Sequence, residues 1–181
     1  MTLREATQYL VSQVTEILQE EKEERVQEAV SLIASASKIF VYGVGRSGLV
    51  GKAFAMRMVQ LGLRVFFIGE TITPIVEPED LVIIVSQTGE TMSAIQTANI
   101  ARRVGAHVIS VTAQPGSKLA HASSLILSLR IGKDREARKY APLGTLFENA
   151  SLLLLDGLIS LLMDKLGQTE EDMRNRHAIM V

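Results

Sequence analysis

The chain has 181 residues, of which 47% are hydrophobic, 22% charged and 4% aromatic, with no tryptophan. This is the size and balance of one folded domain and excludes a disordered chain; with so few aromatics the core rests on Leu, Ile, Val, Ala and Met. The 19 basic and 20 acidic residues leave a net charge of −1, which argues against nucleic acid or an anionic membrane as partner. The absence of cysteine removes disulfides, thiolate metal sites and cysteine nucleophiles together.

The first residues lack the basic-then-apolar pattern of a secretory signal. The longest strongly apolar run, 152–163, contains Asp156 and is too short to span a bilayer. The expectation is a cytoplasmic protein, one domain over 1–181.

In chain order, apolar residues at Leu3, Leu10, Val14, Ile17 and Leu18 predict a first helix over 3–18. The charged run 19–25 reads as a solvated joint, followed by a second helix with Val26, Val30 and Ile33 on one face. The pattern then changes. Lys38-Ile39-Phe40-Val41-Tyr42 is a short apolar run ending at Gly43, the mark of a buried strand. Strand and helix alternate from there: helix 46–61, strand 64–68, strand 81–85, helix 91–104, strand 107–111, short helix 117–122 and strand 125–129. A polar loop over 130–144 leads to a long helix, 145–166, and a short helix from Thr169. Continuous apolar strands alternating with helices predict a five-stranded parallel sheet covered on both faces, a flavodoxin- or Rossmann-like three-layer sandwich, with two extra helices at the N-terminus. The long helix is apolar nearly all round, so part of it is expected to meet another subunit.

Two loops carry chemistry. Gly43-Val44-Gly45-Arg46-Ser47-Gly48 follows the first strand and opens a helix, a place where glycines permit a tight turn and free N–H groups meet an anion. A dinucleotide site is the rival reading there, with Glu70 after the second strand where a ribose-binding carboxylate would sit. Ser86-Gln87-Thr88-Gly89-Glu90-Thr91 follows the third strand and crowds three hydroxyls and an amide around one glycine. Helix capping needs one such hydroxyl; a phosphate monoester uses several. The candidate ligand-binding set is therefore Gly45, Arg46 and Ser47 with Ser86, Gln87, Thr88 and Thr91. No G-x-x-x-x-G-K-[ST] signature of a nucleoside triphosphate site is present.

The second loop resembles the phosphate-binding loop of the SIS, or sugar isomerase, domain. Gly43 to Leu49 is similar to the first loop of one branch, the 6-phospho-3-hexuloisomerases, and so are Phe54-Ala55-Met56-Arg57, Gly69-Glu70-Thr71, Pro142-Leu143-Gly144-Thr145-Leu146-Phe147-Glu148 and the ending Glu171-Asp172-Met173-Arg174-Asn175-Arg176-His177-Ala178. Gln87 and Ala141 depart from that branch.

The resemblance implies interconversion of D-arabino-hex-3-ulose 6-phosphate and D-fructose 6-phosphate through an enediol(ate), with no metal and no organic cofactor. It places the reaction in the ribulose monophosphate route of formaldehyde fixation, paired with a hexulose-phosphate synthase, in a homotetramer. By position alone Glu148 reads first as a surface or first-turn carboxylate favoured by the helix dipole; the resemblance implies that it is the base. His177 is the candidate to shuttle oxygen protons, lent across a subunit interface because it lies in the C-terminal tail. His107 and His121 read as structural or exposed, and three separated histidines give no zinc site. Lys133, Arg135, Arg138 and Lys139 make the 130–144 loop basic, a solvated face or a guide for an anion. The alternatives are another phosphosugar aldose–ketose isomerase and a non-catalytic sugar-phosphate sensor.

Overall fold

Five parallel strands form one sheet in the order β2-β1-β3-β4-β5: β1 (Ile39–Gly43), β2 (Val65–Phe67), β3 (Leu81–Val85), β4 (His107–Thr112) and β5 (Leu125–Ser128). The structure, a computed structural model, describes residues 1–132 and 134–179. Among them the helices are α1 (Leu3–Gln19), α2 (Glu23–Ser35), α3 (Gly45–Gln60), α4 (Met92–Val104), α5 (Lys118–His121), α6 (Ala137–Tyr140), α7 (Thr145–Leu166) and α8 (Glu170–Asn175).

The alternation of side chains along each strand divides the core in two. Ile39, Val41, Ile83, Ile109 and Leu127 point to one face, where α1, α2, α3 and α7 pack with Val14, Ile33, Phe54, Met58, Phe147 and Leu158. Phe40, Val82, Ile84 and Val108 point to the other, under α4 and α5 with Ile95, Ala98 and Leu119. The central strand β3 is therefore buried along its whole length, which is why its sequence is an unbroken apolar run.

The chain steps outward from β1 to β2, then returns to pair β3 on the other side of β1. This reversal puts α3 and α4 on opposite faces and opens a crevice at the carboxyl ends of β1 and β3, the place where open α/β sheets bind ligands. Register pairs Gly43 with Val85, so the two chemistry-bearing loops leave the sheet level with each other.

Two expectations are corrected. The joint after α1 is shorter than 19–25, and Glu21 is not simply solvated: its carboxylate accepts the Ser128 N–H of edge strand β5. The 130–144 loop contains the one-turn helix α6. The apolar run 152–163 belongs to the 22-residue α7, which is long and apolar enough by length and composition to cross a membrane. In this fold α7 packs among α1, α2 and α3, and Leu153 is its one large apolar side chain left exposed. An apolar helix thus finds most of its cover within one chain.

Candidate active site

A cleft of about 150 Å³ lies at the crevice between β1 and β3, lined by Val44 and Ser47 from the first loop and Ser86, Gln87, Thr88 and Thr91 from the second. The close approach of strand and helix that shapes it depends on glycine: a Cβ on Gly48 would stand 2.5 Å from the Gly43 carbonyl oxygen. Gly45 turns the chain with φ +60° into α3, whose N-cap, Val44, offers no side-chain hydrogen bond. The first N–H groups of α3 are left for a ligand.

The second loop turns at Gly89, with φ +61° and no room for a Cβ, which would overlap the Ser117 hydroxyl at 2.0 Å. Thr91 is the N-cap of α4, yet its side chain makes no capping bond. The hydroxyl-rich loop is thus more than a helix cap. Thr88 Oγ1 accepts the Glu90 N–H at 3.3 Å, and Gln87 is fixed through its carbonyl, which accepts from Thr112 Oγ1 at 3.2 Å and Ala113 N–H at 3.0 Å. Glu90 points away to α5. Its carboxylate accepts the Lys118 N–H at 3.1 Å and pairs with Lys118 Nζ at 3.0 Å, and the Lys118 N–H and ammonium hold its pKa below the usual carboxylate value.

Glu148, in the first turn of α7, lies beside this cleft. Its side chain is 13% exposed, and its carboxylate accepts from Arg46 Nε at the mouth of α3. Gly144 lets it approach Gln87: a Cβ there would meet Gln87 Oε1 at 2.8 Å and Glu148 Oε1 at 3.0 Å. Three chain segments therefore converge: Ser47, Ser86, Gln87, Thr88 and Thr91 line the cleft, Gly45 turns the chain into α3, and Arg46 and Glu148 pair beside them. The arrangement offers a hydroxyl and amide cradle for a dianion beside one carboxylate and one guanidinium.

His177 is not brought to this site within the chain. It lies with Arg57, Gln60 and Met173 beside the C-terminal end of α3, whereas the cleft is at that helix's N-terminus, roughly 20 Å away at about 1.5 Å per residue. The tail is tied there by Arg176, which donates to the Gln60 carbonyl at 3.1 Å and to Gln168 Oε1 at 2.8 Å. Glu70 is engaged in an ion pair with Lys52 at 3.0 Å. Of the basic loop, Lys133 lies outside the described residues. Among those described, no group of three or more His, Asp or Glu could hold a metal ion.

A buried pair not expected from the sequence lies at the opposite end of the sheet. Lys38 and Asp80, 6% and 1% exposed, pair at 3.3 Å. Lys38 Nζ also donates to Glu77 at 2.5 Å and to the Ile75 carbonyl at 3.0 Å, and the Glu77 bond leads in raising its pKa. A lysine opening an apolar strand and an aspartate just before the next were the available signal.

The fold and the cleft define an open α/β domain with a ligand cleft at the carboxyl ends of β1 and β3. The SIS domain family matches residues 32–151, and the chain belongs to that family. It is 36% identical to the 3-hexulose-6-phosphate isomerase of Methanocaldococcus jannaschii over 87% of this chain and 85% of that protein. It is 38% identical to the 3-hexulose-6-phosphate isomerase of Bacillus subtilis, over 86% of each. A crystal structure of a Methanococcus jannaschii protein, from which a molecular function of 3-hexulose-6-phosphate isomerase was inferred, superposes with a TM-score of 0.87 at 31% identity, covering 98% of this chain and 99% of that one.

Proposed function

We propose that the protein is a 3-hexulose-6-phosphate isomerase interconverting D-arabino-hex-3-ulose 6-phosphate and D-fructose 6-phosphate. The observation that carries the reading is the convergence of Glu148 with the hydroxyl-rich loop at Gly144. A carboxylate beside a phosphate cradle is what a cofactor-independent proton transfer on a phosphosugar requires.

In this reading Ser86, Thr88 and Thr91, with the open N-termini of α3 and α4, hold the phosphate. Glu148 takes the proton from C2 of the hexulose; the C–H electron pair becomes the C2=C3 bond, and the former C3 carbonyl oxygen becomes the oxygen of an enediolate. The same carboxylate returns the proton to C3, while the C2 hydroxyl passes its proton to the C3 oxygen, so that C2 becomes the carbonyl and C3 carries the hydroxyl. Arg46, which pairs with Glu148, is placed to balance charge as it moves between carboxylate and sugar oxygen. Gln87 contacts the sugar next to Glu148.

His177 enters this scheme only from a second copy, and a homotetramer is the assembly proposed. Leu49 and Met56 on α3 and Leu153 on α7, each more than half exposed on helices that pack together, support such an interface. The enzyme works in the cytoplasm, paired with a hexulose-phosphate synthase that fixes formaldehyde on ribulose 5-phosphate.

Turnover tests the reading. Purified protein supplied with D-arabino-hex-3-ulose 6-phosphate should release fructose 6-phosphate without added metal or cofactor; binding without turnover would make it a sensor.

A further inference from the structure

Glu148 is delivered to the cleft by the segment between β5 and α7, and α1 grips that segment from outside the site. The Tyr9 hydroxyl donates to Asp134 Oδ2 at 2.6 Å, across 125 residues of sequence. The Tyr9 ring lies 5.3 Å from that of Tyr140 at the end of α6, and Lys139 Nζ sits 4.4 Å above the Tyr140 ring. Asp134 is held in turn by the Glu136 N–H at 3.0 Å. Beyond α6 the chain buries Ala141, then passes through Leu143, the only non-glycine residue with positive φ (58°) among those described. Leu143 is fully exposed, so packing of its side chain does not select this costly conformation. The two ends impose it. One is α6, pinned to α1; the other is the start of α7, where Thr145 Oγ1 donates to the Pro142 carbonyl at 2.7 Å and Gly144 abuts Gln87 and Glu148.

We infer that Tyr9 is a positioning residue for the proton-transferring carboxylate: through Asp134 and Tyr140 it holds the Leu143–Gly144 turn that sets Glu148 against Gln87. The inference rests on the proposed role of Glu148. The first helix is then part of the catalytic apparatus without touching the substrate. Its effect falls on the chemical step and not on phosphate binding, which belongs to Ser86–Thr91 on the sheet.

The test compares Tyr9→Ala, Tyr9→Phe and Val14→Ala in the full chain, reading kcat, KM, fructose 6-phosphate affinity by calorimetry and thermal unfolding. Val14 is a core residue of α1, 4% exposed, and reports generic loosening of that helix. Tyr9→Ala should lower kcat about tenfold, within the ~10²-fold that a 1 Å misplacement costs, with the fructose 6-phosphate dissociation constant changed less than about twofold. Tyr9→Phe, which keeps the ring contact, should recover part of that loss and remain about threefold below wild type. Val14→Ala should melt earlier with unchanged kcat. Wild-type kcat in Tyr9→Phe, or an equal kcat loss in Val14→Ala, would overturn the inference; Tyr9→Phe decides it even if Tyr9→Ala does not fold. Glu148→Gln is run alongside. Wild-type turnover in that variant removes the role of Glu148 and this inference with it, whereas dependence on Glu148 with indifference to Tyr9 removes this inference alone.

Discussion

Thr88 and Thr91 keep side chains that ordinary helix starts consume. Thr91 stands at the N-cap of α4 without capping it, and Thr88 accepts only a 3.3 Å contact from the Glu90 N–H. Thr88→Ala should therefore weaken fructose 6-phosphate binding about 10- to 100-fold, the equivalent of the roughly 1.5–3 kcal/mol of a charge-assisted hydrogen bond. Calorimetry reads this directly, and unchanged affinity would move the phosphate elsewhere. The density of hydroxyls around Gly89 made this loop legible in the sequence, because no structural need accounts for three. Arg46 was legible only as a cation; its pairing with Glu148 depends on how α3 and α7 meet, which no local pattern encodes. His177 shows the opposite case: the residue is visible in the sequence, but its distance from the cleft follows from α8 packing at the far end of α3.

At the scale of elements, the strand–helix alternation was readable because β3, covered on both faces, appears as an unbroken apolar run. The one-turn α6 was not, since four residues carry no period and its place is set by Tyr9. The Tyr9 hydroxyl is the leading cause that holds the Asp134 carboxyl below the usual carboxylate range, and burial followed by that carboxylate pushes the Tyr9 phenol up to about 12. The lowered Asp134 value contributes stability that is present above the ordinary aspartate value of about 4 and lost as the pH falls through its folded value. The raised Tyr9 value contributes stability that is present below about 10 and lost as the pH climbs through its folded value. The gap in melting temperature between wild type and Tyr9→Phe should therefore hold across neutral pH and narrow at both extremes. At the amino end of the sheet, Asp80 accepts the N–H groups of Lys38 at 3.1 Å and Glu77 at 2.7 Å besides pairing with the Lys38 ammonium. Asp80→Asn should cost about 3 kcal/mol in urea unfolding, the low end for breaking a buried pair, because Glu77 remains with the lysine.

For the whole molecule, α1, α2 and α3 cover much of α7, so the proposed assembly rests on the exposed Leu49, Met56 and Leu153 and on bringing His177, at the far end of α3, to the cleft of a second copy. Mixed oligomers of Glu148→Gln and His177→Ala subunits should regain activity that neither variant has alone. No recovery, with subunit exchange shown independently, would mean that His177 takes no part across an interface. The most direct measurement follows which carbon exchanges hydrogen. In deuterated water the protein should replace the C3 hydrogen of fructose 6-phosphate, followed by NMR, because a 2,3-enediol(ate) passes that proton through Glu148. Glu148→Gln should still bind the sugar and lose the exchange, a rate loss of about 10²–10⁴-fold. Exchange at C1 instead would mark an aldose–ketose isomerase working through a 1,2-enediol, and exchange at the wild-type rate in Glu148→Gln would contradict the assignment of the base.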